Sequence, residues 1–508
     1  MSYKPYNFNF EFAPNADVVI YKTDSKIVAK AWDENHEKWK RIAQGSSGIS
    51  DDDPRDDTTI IKKALHYDKI FLYSGTYFIN DTLILKSNNQ ILGLSPNNTV
   101  LKLAKYVNKN MITNESYSSN TSIDSNISIC NITLDGNGDY QSAQSSCIEI
   151  ANISGLKLKN VKMINGYSYC LHSNSNVENA CISDCICDYS INDPAFAGQW
   201  LNSTIIGSIA RNSLDNGFNF WGCANINVIS CISELNSGYG GFKTEANCSN
   251  INFIGCSSIN NSGHGFVITK TSNFLLNGCI SNGNQIGLLI RYGSKYGSVV
   301  SGYYSSNSND GIQLWEVSGV ESDLWVENIY ITNSFVLNNN GYGIRAIGSS
   351  NRIYVIACNV SGNNNGNILL NCPRKIAILN SVPTISFKYN DNIVELGNAA
   401  YGSPTIITSQ AGFISSFDLI LHITAAAGDT VNAKITTVFE NAGETTGIVK
   451  TLDNSAGTAS ISQDVVLDIN DKLALWVDND RLLQIKVYGE SATGAAGSSL
   501  TFDVFGSS

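Results

Sequence analysis

The chain has 508 residues, 43% of them hydrophobic, and carries 33 Lys and Arg against 44 Asp and Glu. That length suffices for two or three domains around a large core. An acid excess without a basic run speaks against nucleic acid as a partner, and no apolar stretch approaches the roughly 18 residues that cross a membrane.

The opening MSYKPYNFNF lacks the basic-then-apolar pattern of a secretory leader, so export by that route is not expected. Short strands at Val18 to Tyr21 and Ile27 to Trp32 suggest that residues 1–50 form a neck or attachment segment. DDTTIIKKAL (Asp56 to Leu65) reads as a capped helix, and IFLYSGTYFI (Ile70 to Ile79) as strand, turn and strand. Such a helix can cover the open end of a sheet stack, whose edge would otherwise be unpaired.

A repeat follows. VIS-Cys231, FIG-Cys256, LNG-Cys279 and VIA-Cys358 share one column, which continues through Cys185, Ser208, Tyr303 and Ser334 in steps of 23, 23, 25, 23, 24, 31 and 24 residues in chain order. From Ser208 on, each marker is followed eight to ten residues later by a glycine: Gly217, Gly241, Gly265, Gly287, Gly311, Gly343 and Gly366. The turns between are polar, as in SINNSGHG and VLNNNGYG, and asparagine tolerates the left-handed backbone that tight corners need. A period near 24 with short β-branched strands predicts an all-β fold, a right-handed parallel β-helix over 51–385. A leucine-rich repeat would need its Leu/Asn consensus, and a propeller blade about 40 residues or more. All thirteen cysteines lie between Cys130 and Cys372, an odd number in one block, which fits buried thiols in the repeating interior better than disulfides. Cys181, Cys185 and Cys187 have some look of a metal cluster, but the repeat accounts for Cys185 as core, so no metal or other cofactor is expected.

The Cys-free end, 386–508, differs. FDLILHI (Phe417 to Ile423), KLALWV (Lys472 to Val477) and the strictly alternating LLQIKV (Leu482 to Val487) predict an antiparallel sandwich, serving to trimerise the chain or to bind sugar.

The DDT…I…AL helix and the GTY strand pair resemble the pectate-lyase-like β-helix family, with Ser74 where that pattern has proline. The resemblance spans roughly Ser50 to Leu379. It implies the fold and, since the family includes phage tailspikes and polysaccharide depolymerases, a homotrimer in a phage tail. Its partners would then be a bacterial surface polysaccharide and, through the N-terminal segment, other tail proteins. A virion protein released by lysis needs no leader. The superfold hosts hydrolases, lyases, epimerases and plain binders, so the reaction has to be argued from the site.

Alternation sorts the columns after each repeat glycine. Phe218/Phe220, Phe242/Thr244, Phe266/Ile268, Leu288/Ile290, Ile312/Leu314 and Ile344/Ala346 face inward, while Asn219, Lys243, Val267, Leu289, Gln313 and Arg345 face out. A second outward column holds Trp221, Glu245, Thr269, Arg291, Trp315 and Ile347. Trp221 and Trp315, four coils or roughly 19 Å apart, suit sugar rings, and Lys243, Arg291, Gln313 and Arg345 suit carboxylates and hydroxyls. The bland alternative is a solvated face whose tryptophans a neighbouring subunit covers.

Glu245 is the one carboxylate in these two columns and the leading catalytic candidate. Glycoside hydrolysis takes two carboxyls, about 5–5.5 Å apart for retention and 6.5–9.5 Å for inversion. Glu316, three coils on, and Asp215, on the turn before Gly217, are the partner candidates, both expected to lie far from Glu245. The long step from Tyr303 to Ser334 implies a loop around Val317 to Asn328, bearing Glu321, Asp323 and Glu327, that can fold over the wall or leave the second acid to a neighbouring chain. His264, in a GHG triplet similar to that of polygalacturonases but without that family's paired aspartates, reads as a turn residue or sugar ligand. The leading expectation is an endo-glycosidase; a polysaccharide lyase or uronate epimerase, using Lys243, Arg291 or His264 as base, and a non-catalytic glycan receptor are the alternatives.

Overall fold

The structure, a computed structural model, describes residues 16–33, 38–119, 122–315, 325–348 and 350–370, together with the backbone of strands at 375–378 and between 401 and 507. The chain winds a right-handed parallel β-solenoid of about twelve coils. Each coil lends short strands to three sheets, as in Phe218–Trp221, Ala224–Ile229 and Ile232–Glu234, followed one coil up by Gly240–Glu245, Cys248–Ile254 and Ser257–Ile259. Register is kept from coil to coil, so Phe196, Phe218, Phe242, Phe266, Leu288, Ile312 and Ile344 lie in one line.

Inside, every pair expected in the core is buried. Phe218, Phe242 and Phe266 stack face to face with centroids 4.8 and 4.9 Å apart. Burying each such ring contributes about 1.5–3 kcal/mol. The described cysteines are free thiols; Cys181 is exposed, while Cys185, Cys187, Cys231, Cys256, Cys279 and Cys358 are buried. Two markers shift by one residue. Tyr303 pairs with Ile280 and points out, so Gly302 holds the cysteine column, and its missing side chain makes room for the Tyr304 ring. Gly366 pairs with Tyr342, which places Asn367 rather than glycine after Gly343.

The repeat glycines have a steric cause. A Cβ on Gly217, Gly241 or Gly265 would overlap the hydroxyls of Ser233, Ser258 and Ser281, respectively. Beneath them runs a buried amide ladder that sequence reading took for turn chemistry alone. Asn236, Asn261, Asn284, Asn307 and Asn339 each donate a backbone N–H to the side-chain carbonyl of the next ladder asparagine, ending on Asn363, at 2.9–3.1 Å. The left-handed corners are a separate column, Asn212, Leu235, Asn260, Gly283, Ser306, Asn338 and Gly362.

The helix spans Asp57–Ala64 and buries Ile60, Ile61 and Ala64 against the first coil. Asp57, fully buried, accepts from the backbone N–H of Gly48 and Phe78 and pairs with Lys22 Nζ at 2.6 Å. One carboxylate thus ties the DDT helix to the GTYF strand. Strands Val18–Lys22, Lys26–Asp33 and Lys38–Ser46 extend the stack: Val18–Ile20 pairs parallel with Ile70–Leu72, and the other two follow antiparallel. Over its described residues the segment expected as a neck is therefore built into the cap. At the far end, strands within 401–507 form antiparallel sheets of four, three and two strands. The face-to-face packing of a sandwich concerns side chains outside the described residues. Among the described residues no helix is long and apolar enough to cross a membrane.

Candidate functional site

The first sheet presents one outward column along the solenoid. Strand register puts Glu149, His172, Ala197, Asn219, Lys243, Val267, Leu289, Gln313 and Arg345 in line, each between buried, inward-facing neighbours of its strand. Neighbouring coils lie about 4.8 Å apart, so this line is a wall roughly 40 Å long. Its rims are the turns that enter the sheet, with Tyr169, Asp193, Asp215, Tyr239 and Asp310, and the strand ends, with Trp221, Glu245, Arg291 and Trp315.

At the centre, Lys243 Nζ lies 2.8 Å from Glu245 Oε2, two positions along one strand. Lys243 is thus occupied by a carboxylate of its own chain, where sequence reading had left it for substrate. The Asp215 carboxyl, on the turn before Gly217, feels the charges of both Lys243 and Glu245. Burial pushes the Asp215 carboxyl above the ordinary carboxylate range, Asp193 and Glu245 add to the effect, and the Asn216 N–H and Lys243 only partly oppose it. Trp221, half-buried, pairs in register with Glu245.

Below the centre lies a group that sequence reading missed. Tyr117 donates its hydroxyl to Glu149 Oε1 at 2.6 Å, and Ser146 donates to Oε2 at 3.0 Å. His172 is 7% exposed, with Nδ1 3.6 Å from Glu149 Oε1 and without a hydrogen bond, and Tyr169 stacks on its ring at 4.0 Å. Although burial opposes it, the partners His172, Tyr117 and Ser146 hold the Glu149 carboxyl below its ordinary value. Burial and the nearby Asp193 carboxylate raise the Tyr169 phenol far above its own. The signal was present in CIEI and CLHS, a small residue then an apolar and a polar one, but no glycine marks the register there.

Above the centre the wall turns apolar and cationic. Val267, Ile286 and Leu289 form a buried patch against which Trp315 packs, so the indole is half-buried rather than exposed. Arg291 donates to Thr269 Oγ1 at 3.1 Å and to the Tyr239 hydroxyl, and its guanidinium sits between the Tyr239 and Tyr292 rings at 4.6 and 4.9 Å. His264 is buried beneath Tyr239, ring edge to face at 4.7 Å; burial, then Arg291, lowers it to about 4, so it stands neutral at pH 7. Gln313 is buried rather than exposed as expected, and Arg345, partly exposed, is engaged by the fully buried Asp310 at 3.5 Å. Glu316, Glu321 and Asp323 lie outside the described residues; Glu327 does not belong to the loop but opens strand Glu327–Thr332 and faces Lys295 at 3.7 Å. Among the described residues no three His, Cys, Asp or Glu side chains converge as metal ligands.

No family model and no curated protein matches the chain. Solved structures do. The A-module of the Azotobacter vinelandii mannuronan C-5 epimerase AlgE4 aligns with TM-score 0.54 and 18% identity over 61% of this chain and 90% of that one. The A-module of AlgE6 from the same organism gives 0.54 and 15% over 66% and 98%. The Dettilon tailspike protein gp208 gives 0.53 and 10% over 87% of this chain and 92% of its own. At these identities the likeness is one of fold.

Proposed function

We propose that the chain binds a bacterial surface polysaccharide along the first-sheet wall and hydrolyses it internally, as a tailspike-type endo-glycosidase. The observation that carries this reading is the grouping of Asp215, Lys243 and Glu245. Two carboxyls share a field but differ in surroundings: burial favours the protonated form of Asp215, whereas Glu245 is paired with the Lys243 ammonium at 2.8 Å. In this reading Asp215 donates its proton to the glycosidic oxygen as the bond to the anomeric carbon breaks. Glu245 takes a proton from the water that attacks that carbon. Trp221, beside Glu245, offers an apolar surface for the sugar ring.

The wider setting belongs to the same proposal: a homotrimer on a phage tail, with residues 1–50 towards other tail proteins, 51–385 as the enzymatic solenoid and 386–508 for trimerisation or sugar binding. The Dettilon tailspike shares the fold over most of this chain, and Ile280, Tyr303 and Phe335 form an exposed apolar line on the third sheet. A uronate lyase or epimerase is the second reading, supported by Arg291, which is in no ion pair among the described residues.

The test is incubation with a panel of purified capsules and O-polysaccharides. Hydrolysis is expected to release reducing ends without the absorbance of an unsaturated uronate, and Glu245→Gln to lower turnover about a hundredfold or more with the fold intact. Unsaturated product would move the assignment to a lyase; binding without any product would leave a receptor.

A further inference from the structure

Taking the hydrolytic centre as its starting point, we infer that the wall selects a polymer of alternating charge: an acidic sugar on the Arg291 side of the scissile bond, and uncharged or amino sugars on the Glu149 side.

The two arms of the wall differ in charge and in construction. Towards the N-terminal coils, beyond the Asp215 acid, stand Glu149 and Asp193, neither paired with Lys or Arg among the described residues. The cation near them, Lys243, is already matched by Glu245. A sugar carboxylate entering this arm would meet uncompensated like charge in a partly desolvated place, which opposes its binding. Sugar hydroxyls and ammonium groups meet the reverse: carboxylate acceptors, the aromatic faces of Tyr169 and His172, and the Nδ1 of a more than nine-tenths buried His172, which faces Glu149 at 3.6 Å but makes no hydrogen bond. A side chain so enclosed is held in place before any ligand arrives.

Towards the C-terminal coils, Arg291 is a cation without a carboxylate among the described residues. Its guanidinium is clamped between two rings and anchored through Nε and Nη1, which leaves further N–H donors. The floor beside it is the apolar patch of Val267, Ile286 and Leu289 with the Trp315 indole. A fixed guanidinium over an apolar floor suits a carboxylate, which it can hold by a bidentate pair. Arg345 lacks this freedom because Asp310 neutralises it. By strand spacing Arg291 stands two coils, about 10 Å, from the Lys243 level, and Glu149 four coils, about 19 Å, on the other side. A polyuronate is therefore opposed on one arm, and a neutral polymer leaves the Arg291 charge unmatched on the other. A polymer with one acidic sugar per repeat satisfies both.

Binding, not cleavage, tests this. Full-length Asp215→Asn, which is silenced in the hydrolytic reading and keeps side-chain size, is titrated against purified capsules and O-polysaccharides of known repeat, with polygalacturonate and dextran as the uniform extremes. The expected ligand carries one acidic sugar flanked by neutral or amino sugars. Arg291→Gln in this background should weaken it by roughly tenfold or more, and Arg291→Lys by less, because the charge remains and the fork is lost. Glu149→Gln with Asp193→Asn should strengthen polygalacturonate binding about tenfold, a gain that damage to the fold cannot produce. Tightest binding to a polyuronate or to a neutral polymer, binding to none of the panel, or an affinity indifferent to Arg291→Gln in a protein of unchanged melting temperature would overturn the inference. Failure of hydrolysis alone would not alter these affinities, so the two readings fail separately.

Discussion

In the coils from Gly217 to Gly343, each turn into the first sheet carries a glycine, and from Asn236 on the interior beside it is an unbroken amide ladder. In the coils just below, the equivalent slot holds Cys147, Cys170 and Ala195, and the interior is held by hydroxyls: Ser190 and Ser213 share a hydrogen bond at 2.6 Å, and both lie within hydrogen-bond distance of the Asp193 carbonyl, at 2.7 and 3.1 Å. The backbone path is the same. What differs is that the upper coils repeat one solution, whereas each lower coil solves its turn separately, and the lower turns project Tyr169 and Asp193 over the wall.

This contrast can be broken by substitution. The largest effect is expected from Phe242→Ala, which removes the middle ring of the regular stack and should cost about 3–5 kcal/mol in chemical denaturation. A loss below about 1 kcal/mol would mean that the coils close over the cavity. Next comes His264, where the regular repeat carries a buried imidazole. Its folded value of about 4 lies below the ordinary 6.5, so the unfolded chain takes the proton first as pH falls. Its contribution is complete above pH 6.5 and lost by pH 4, which amounts to about 3 kcal/mol. His264→Gln should abolish that share of acid sensitivity, seen as a smaller drop in melting temperature between pH 7 and pH 4. Smaller still, Asn284→Ala should cost about 1–3 kcal/mol by leaving ladder groups unsatisfied. Asn227→Ser, in the amide row on the outside of the second sheet, should stay within about 0.5 kcal/mol. Equal losses at the two positions would show that the buried ladder has no special part in stability.

The same division decides how much was legible in the sequence. Glycine at a fixed distance from a small interior residue revealed the coil period, and alternation from that glycine placed Phe218, Phe242, Phe266, Lys243, Glu245 and Arg291 on their correct faces, because the steric demand at the slot is severe. Where cysteine or alanine meets that demand instead, the marker vanishes, and Glu149 and His172 went unseen although they occupy the column of Lys243. Alternation also says nothing of what lies above a face. Val267 and Leu289 point outward in register yet are buried, because the Ile286 turn and Trp315 cover them.

In the proposed mechanism hydrolysis depends on Asp215, whose carboxyl burial raises, as the general acid. The most direct test is the pH dependence of kcat/KM for wild type and Asp215→Asn on a polysaccharide that the wild type cleaves. Since Asp215 must be protonated to act and its carboxyl is raised, wild-type activity should fall with rising pH only above the ordinary carboxylate range. Asp215→Asn should lower kcat/KM by about a hundredfold or more and remove that alkaline limb. Wild-type rates in Asp215→Asn, or an alkaline limb that survives the substitution, would contradict the account.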